Sequence, residues 1–343
     1  MRIPGWIALI ALCGCAGPTS PFGALTGFEP QVQPLRDRPQ ESTVPVEFSP
    51  QRKIYHKPYE FEVNLKDRHR APGSEIQIIY NGKDLSDRWK AGDEQGQFSL
   101  DHLYLDPSKD HEISVRYKSA RDGSLRDVLV DEPDCARFSK DKLGSVKPFK
   151  PPGKYLNLIE THSKQMGYNP NLLAALIAQE SSFYSKAVSW SKALGLTQVT
   201  WVATQEISDL YPDWPVFEPM KAMHMYEVKR LLRKGQLTSQ HDWRLDPDKS
   251  IQGGLAYLKF LEGYWNLEEK IELIEQAGMD PIKDRLDLIL ASYNSGAARV
   301  SYALKRRGEA WYSSRRLNEA RIYFRKVKSY CDEFHSKVAR RTL

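Results

Sequence analysis

Residues 169–183 read NPNLLAALIAQESSF, and this stretch sets the reading of the C-terminal half of the chain. Asn169 offers a capping oxygen and Pro170 a pre-set φ, so the pair predicts a helix start. Leu173, Leu176, Ile177 and Glu180 then fall at i, i+3, i+4 and i+7 and share one face. A carboxylate at the end of an apolar stripe is anomalous. Buried and unpaired, it would keep its proton to higher pH and could act as a general acid. The alternative is that Glu180, near the helix end, bends out to water or pairs with a base. Helical periodicity continues from here to the C-terminus, which makes residues 154–343 an all-α domain.

Upstream the pattern changes. Pro148, Pro151, Pro152 and Gly153 mark a Pro-rich linker over 136–153. Between Lys53 and Cys135 the apolar period is two. Tyr59, Phe61, Val63 and Leu65 alternate with polar residues, as do Ile76, Ile78 and Tyr80, and Ile113, Val115 and Tyr117. Pro72-Gly73, Asn81-Gly82, Asp106-Pro107 and Asp122-Gly123 punctuate these runs as turns. Residues 53–135 therefore predict a small β-sandwich, with an immunoglobulin-like form as the candidate. His56, His69, His102 and His111 are scattered without ligand spacing and read as surface histidines. No metal or cofactor is expected, and no Gly-rich phosphate loop is found.

The first residues set the compartment. Met1-Arg2 is a basic start, and Ile3 to Leu12 is an apolar run well short of the ~20 residues of a membrane-spanning helix. Leu12-Cys13-Gly14-Cys15 resembles a bacterial lipobox, with Cys13 where a small residue is usual. Residues 1–14 are then a signal peptide, Cys15 the lipidation site, and 15–52 a tether rich in Pro, Gly, Gln and Ser. An ordinary signal cut nearby is the alternative; both imply export. Lipidation would hold the protein at the periplasmic face of the envelope, with the outer membrane the expected carrier. Cys135 and Cys331 then remain as an even pair in an oxidising compartment. A bridge and two separately buried thiols are both open.

Composition fits this organisation. The chain has 343 residues, 27% charged and 41% hydrophobic, the balance of a folded two-domain protein. A mean hydropathy of −0.57 excludes a multi-span membrane protein. The net charge of +6 is mild. Residues 305–343 are locally basic, which fits a solvated amphipathic helix or, alternatively, attraction to an anionic wall polymer. Export argues against nucleic acid as a partner.

Four ordered motifs carry a resemblance. Glu180-Ser181-Ser182-Phe183, Ala187-Val188-Ser189, Gly195-Leu196-Thr197-Gln198-Val199 and Ser292-Tyr293-Asn294-Ser295-Gly296 resemble those of the lytic transglycosylases related to goose-type lysozyme. Leu245-Asp246-Pro247, with Ile251, Gly254, Tyr257 and Leu258, and Tyr323 with Lys326-Val327 agree more weakly. The resemblance covers about residues 155–330. With the sheet-forming region upstream the chain reads as α+β multidomain, and the resemblance implies that its C-terminal part is a lysozyme-like catalytic domain. Glu180 matches the catalytic Glu. Ser189 matches a serine orienting the sugar or that Glu, Gln198 an amide lining the cleft, and Tyr293 a tyrosine that hydrogen-bonds the Glu. Asn294 follows that tyrosine, and Tyr323 matches a further cleft tyrosine. Lys192, Thr197, Trp201 and Ser250 depart from the family pattern. Thr197 and Trp201 are expected to reshape a subsite wall. The stretch from Thr200 to Arg244 is long, with Trp214, Pro215 and Phe217 in a loop of no evident role.

The implied reaction needs one carboxylate, where ordinary glycosidases use two. A single Glu protonates the oxygen between N-acetylmuramic acid and N-acetylglucosamine in peptidoglycan strands, then accepts the proton of the C6 hydroxyl as it closes a 1,6-anhydro ring. Two alternatives stand beside it. A lysozyme-like hydrolase would need a second carboxylate, for which Glu206, Asp209 and Asp213 are candidates by proximity. A non-catalytic wall-binding scaffold would keep the cleft and use the β-domain for a partner that the sequence does not identify.

Overall fold

The computed structural model describes residues 46–65, 76–91, 96–118 and 123–339, without side chains beyond residue 335. The expected signal segment, Cys15, His69 and most of the expected tether lie outside the described residues. In the N-terminal part the period-two runs become strands. They are β1 (Val46–Ser49), β2 (Tyr59–Leu65), β3 (Ile76–Tyr80), β4 (Lys83–Asp84), β5 (Lys90–Ala91), β6 (Gln97–Leu103), β7 (Ile113–Lys118) and β8 (Leu125–Leu129). One sheet has the order β1-β2-β6-β5 and the other β4-β3-β7-β8. Every pairing is antiparallel. Asn81 (φ 48°) and Gly82 (φ 77°) join β3 to β4 with two positive φ values, which the right-handed strand twist favours in a two-residue hairpin. Phe61 and Val63 of one sheet and Ile78, Val115 and Tyr117 of the other enter one apolar cluster.

β1 lies inside the stretch expected to be tether. Val46 pairs with Leu65 and Phe48 with Val63, and Val46 is buried. Four residues are too few to show a period, so only pairing with β2 reveals the strand. The histidines also differ from expectation. His56 stacks on Tyr330 with centroids 4.0 Å apart, and His111 is buried against the Tyr80 hydroxyl, 2.7 Å from Nδ1. His102 is exposed.

Residues 136–153 do more than space two domains. Phe138 and Val146 join the core of the helical region, and Gly144 N donates to Asn171 Oδ1 at 2.9 Å. Cys135 and Cys331 are disulfide-bonded, 196 residues apart in sequence. Nine α-helices follow among the described residues: α1 (Gly153–Met166), α2 (Pro170–Ser181), α3 (Trp201–Glu206), α4 (Met225–Arg233), α5 (Pro247–Trp265), α6 (Glu268–Gln276), α7 (Arg285–Ser295), α8 (Ala297–Arg307) and α9 (Asn318–Ala339). None is long and apolar enough to cross a membrane. Every residue of α2 from Pro170 to Ala178 is buried, not only the predicted stripe. A helix that is apolar all round belongs in the centre of a domain, and α2 packs between α1 and α9. The long stretch before Arg244 folds into α3, α4 and short 3₁₀ turns around Met220, Val228, Leu232 and Leu237.

The β-sheets meet α9. Tyr55 N donates to Ser329 Oγ at 3.1 Å, Arg52 pairs with Asp332 at 2.9 Å, and Lys57 pairs with Glu333 at 2.6 Å. Arg321 and Arg325 both reach Asp110.

Candidate active site

The site begins where α2 ends. Asn169 caps its start by accepting from Asn171 N at 2.9 Å, as the sequence predicts. At the other end Ser182 (φ 50°) and Phe183 (φ 63°) are both left-handed, which stops the helix one residue after Glu180-Ser181 and turns the chain away. Ser181 Oγ lies 3.2 Å from Ile177 O and 2.8 Å from Leu196 O, tying this end to the loop of residues 187–199. Gly195 (φ 78°) is required in that loop, because a Cβ there would sit 1.8 Å from the Arg244 carbonyl oxygen. Arg244 is itself fixed, fully buried against Asp242 at 2.6 Å.

Glu180 lies at the end of the buried helix with its carboxyl drawn into the domain. Tyr323 of α9 donates to Glu180 Oε1 at 2.7 Å. Burial pushes the carboxyl from its ordinary 4.5 up to about 8, and the Tyr323 hydrogen bond opposes this by favouring the anion. Near neutral pH Glu180 therefore holds its proton. Burial, reinforced by the neighbouring Glu180, also holds the Tyr293 and Tyr323 phenols well above their ordinary range, so both remain O–H donors.

The hydrogen bond assigned to Tyr293 is thus made by Tyr323. Tyr293 instead donates to the Thr197 carbonyl at 2.7 Å, and its ring lies parallel to that of Tyr323 with centroids 6.4 Å apart. The difference arises because α9 lies directly along α2 and brings Tyr323 to the carboxyl, while Tyr293 reaches the loop. Gln198 (φ 50°) commits Nε2 to Gly195 O at 2.8 Å and Ala187 O at 3.1 Å, which leaves Oε1 as its atom for a ligand. Ser189 has local partners: its Oγ accepts from Ala193 N at 3.0 Å and lies 2.9 Å from Ser191 Oγ. Asn294 is exposed at the end of α7 and accepts from Ser295 Oγ at 3.0 Å. The structure brings Tyr323 to Glu180 and Tyr293 beside Tyr323 and the carbonyl of Thr197, the residue before Gln198, while Ser189 keeps partners in its own turn and Asn294 is exposed in the last turn of α7.

Thr197 does not form a wall. Its side chain is fully buried, donates to Ser250 O at 2.8 Å and packs on Gly254, where a Cβ would meet it at 2.5 Å. Thr197 and Ser250, two of the positions that depart from the family pattern, are thus in contact with each other. Trp201 sits under the Lys221 ammonium, 3.9 Å from the ring centroid. Glu206, Asp209 and Asp213 are all exposed. The nearest approach among them is Glu206, whose charge adds to burial in pushing Tyr257 up to about 12. Tyr257 in turn meets Tyr293 edge-on at 5.2 Å. No group of His, Cys, Asp and Glu among the described residues could hold a metal ion. A cavity of about 550 Å³ that Glu180 does not line lies between α9, the α6–α7 connection and the loops carrying Asp110 and Glu132. Its Asp110 and Asp287 are already paired, with Arg321 and Arg325 and with Lys328.

Residues 157–225 and 220–314 match the family model of the transglycosylase SLT domain. This part of the helical region is similar to a transglycosylase SLT domain. The chain is also similar to the membrane-bound lytic murein transglycosylases C of Edwardsiella ictaluri and Pectobacterium atrosepticum, each 28% identical over 148 residues. The protein of the same name from Yersinia pestis is 27% identical over 147 residues. Each match covers 43% of this chain, and the chain spans about a third (32%) of these relatives' length. Among solved structures, an X-ray structure of an inactive mutant of the lytic transglycosylase Slt from Pseudomonas aeruginosa is 22% identical with a TM-score of 0.36. It covers 53% of this chain and 24% of that one.

Proposed function

We propose that the protein is a peptidoglycan lytic transglycosylase in which Glu180 is the single acid and base. The observation that carries this reading is the Glu180 carboxyl, protonated near neutral pH by burial and held by Tyr323, inside the region similar to an SLT domain. Glu180 gives its proton to the glycosidic oxygen between N-acetylmuramic acid and N-acetylglucosamine, and the C1–O bond breaks. The resulting carboxylate takes the proton of the C6 hydroxyl as O6 bonds to C1, closing the 1,6-anhydro ring. Glu180 ends protonated and no water is consumed. Tyr323 stabilises the anion between the two steps, and Gln198 Oε1 is suited to the N–H of an acetamido group. A hydrolase would need a placed second carboxylate. The Glu180 carboxyl is set by burial and the Tyr323 hydrogen bond, and Glu206, Asp209 and Asp213, the candidates for that second group, are exposed.

The same proposal takes residues 1–14 as a signal and Cys15 as a lipid anchor on the periplasmic face of the outer membrane, with a tether leading to the sheets. The similarity to membrane-bound lytic murein transglycosylases C supports an envelope location. Two four-stranded sheets sharing one apolar cluster support the sandwich reading. The test is release of soluble muropeptides from purified peptidoglycan. The wild-type chain should release them and Glu180→Gln should lose at least about a hundredfold in rate, within the range for a positioned acid. Release by neither protein, with wall binding retained, would favour the scaffold alternative.

A further inference from the structure

Two large aromatic rings stand open to water, one on the 187–199 loop and one on α4. Trp190 is 74% exposed and Tyr226 is 60% exposed, and their rings meet edge to face with centroids 5.9 Å apart. Exposed apolar groups of this size are normal singly but are unusual as a contacting pair. Both are held by rigid frames. Trp190 rides on the turn in which Ser189 N donates to Ala193 O and Lys192 N donates to Ser189 O, each at 3.1 Å. Tyr226 lies in the first turn of α4, which is fixed by a capping box: His224 N donates to Glu227 Oε2 at 2.8 Å. His224 stacks on Tyr226 at 5.1 Å, and Lys192 Nζ donates to the Lys221 carbonyl at 2.6 Å, locking the two frames together.

The pair is linked to the end of α2 through the 187–199 loop, which Ser181 Oγ holds at Leu196 O. The turn carrying Trp190 begins at Ala187, whose carbonyl is held by Gln198 Nε2. The frame carrying Tyr226 comes from the long stretch between Thr200 and Arg244, so that insertion gains a role. Flat rings at high exposure suit the C–H faces of pyranose sugars, whose hydroxyl and acetamido groups can stay in water. We infer that Trp190 and Tyr226 form a platform that binds further units of a β-1,4-linked N-acetylhexosamine strand, beyond the units in contact with Glu180. This rests on the proposed reading of the Glu180 site and extends it: the preferred substrate is a long strand and not a short fragment.

The test uses the full chain carrying Glu180→Gln, so that binding is measured without turnover. Purified long glycan strands and chito-oligosaccharides of increasing length are titrated against it, with and without Trp190→Ala or Tyr226→Ala. Each substitution should weaken binding of long strands about tenfold, or about 1.4 kcal/mol, while the shortest oligomers bind alike. Trp190→Phe and Tyr226→Phe, which keep a ring, should restore most of the loss and serve as folding controls. Unchanged affinity for long strands in both alanine variants overturns the platform. So does a change only in self-association by sedimentation, which would make the pair a contact between copies. If the wild-type chain releases no muropeptides but the ring-dependent binding persists, the proposed reaction falls and the platform stands.

Discussion

At the scale of single residues the proposed chemistry turns on how Glu180 keeps its proton. Its folded value of about 8 lies above the ordinary 4.5, so the folded protein binds the extra proton between those limits. Stability contributed by this group is therefore full below pH 4.5, declines as pH rises through that window, and is lost above about 8. Glu180→Gln should stabilise the protein at alkaline pH, by on the order of 2 kcal/mol once partial access to water is allowed for, and have little effect near pH 4; denaturant titrations at both pH values check this. Activity should fall above about pH 8 as the acid is lost. Tyr323→Phe removes a bond that favours the anion, so it should move that alkaline limb to higher pH while lowering the rate. Glu180 is legible in the sequence because a carboxylate on an apolar stripe is a local anomaly. Its hydrogen-bond donor is not. Tyr323 lies 143 positions away, and only the packing of α9 on α2 brings it there.

Elements differ in how much of them the sequence exposes. Strong alternation in β2, β3 and β7 makes those strands readable, and the Asn-Pro cap makes α2 readable. β1 is too short to signal itself and exists because β2 offers it an edge. The stripe on α2 understates its burial, since Ala174, Ala175 and Ala178 give no periodic contrast yet are packed on every side. Gly195 shows how closely the loop approaches its support. Gly195→Ala combines a positive φ with a clash on the Arg244 backbone. It should cost at least about 2 kcal/mol in denaturant unfolding and reduce activity in parallel, because the loop carrying Gln198 must shift. Thr197 is the converse case. The family resemblance suggests a cleft wall, whereas the small space over Gly254 turns its side chain into the core.

Across the whole molecule, the disulfide and α9 bind the parts together. Cys135 leaves the β-sheets and Cys331 sits on α9, so the bridge closes most of the described chain. Cys135→Ser with Cys331→Ser should lower stability by about 2–5 kcal/mol, read as a lower denaturant midpoint. The basic C-terminal region is also less free than its composition suggests. Arg321 and Arg325 pair with Asp110 and Lys328 pairs with Asp287, so part of that charge joins elements within the protein. Lys305, Arg306, Arg307, Arg315 and Arg316 remain exposed. The order of sheets, linker and helices was readable from changes in periodicity. The docking was not, because it depends on pairs such as Arg52–Asp332 that are remote in sequence. The central claim is that one carboxylate closes the sugar on itself without water. Mass spectrometry of the muramyl ends released from purified peptidoglycan tests it most directly. The account predicts 1,6-anhydro ends, lighter by one water than reducing ends and absent with Glu180→Gln; reducing ends from the wild-type protein would contradict it.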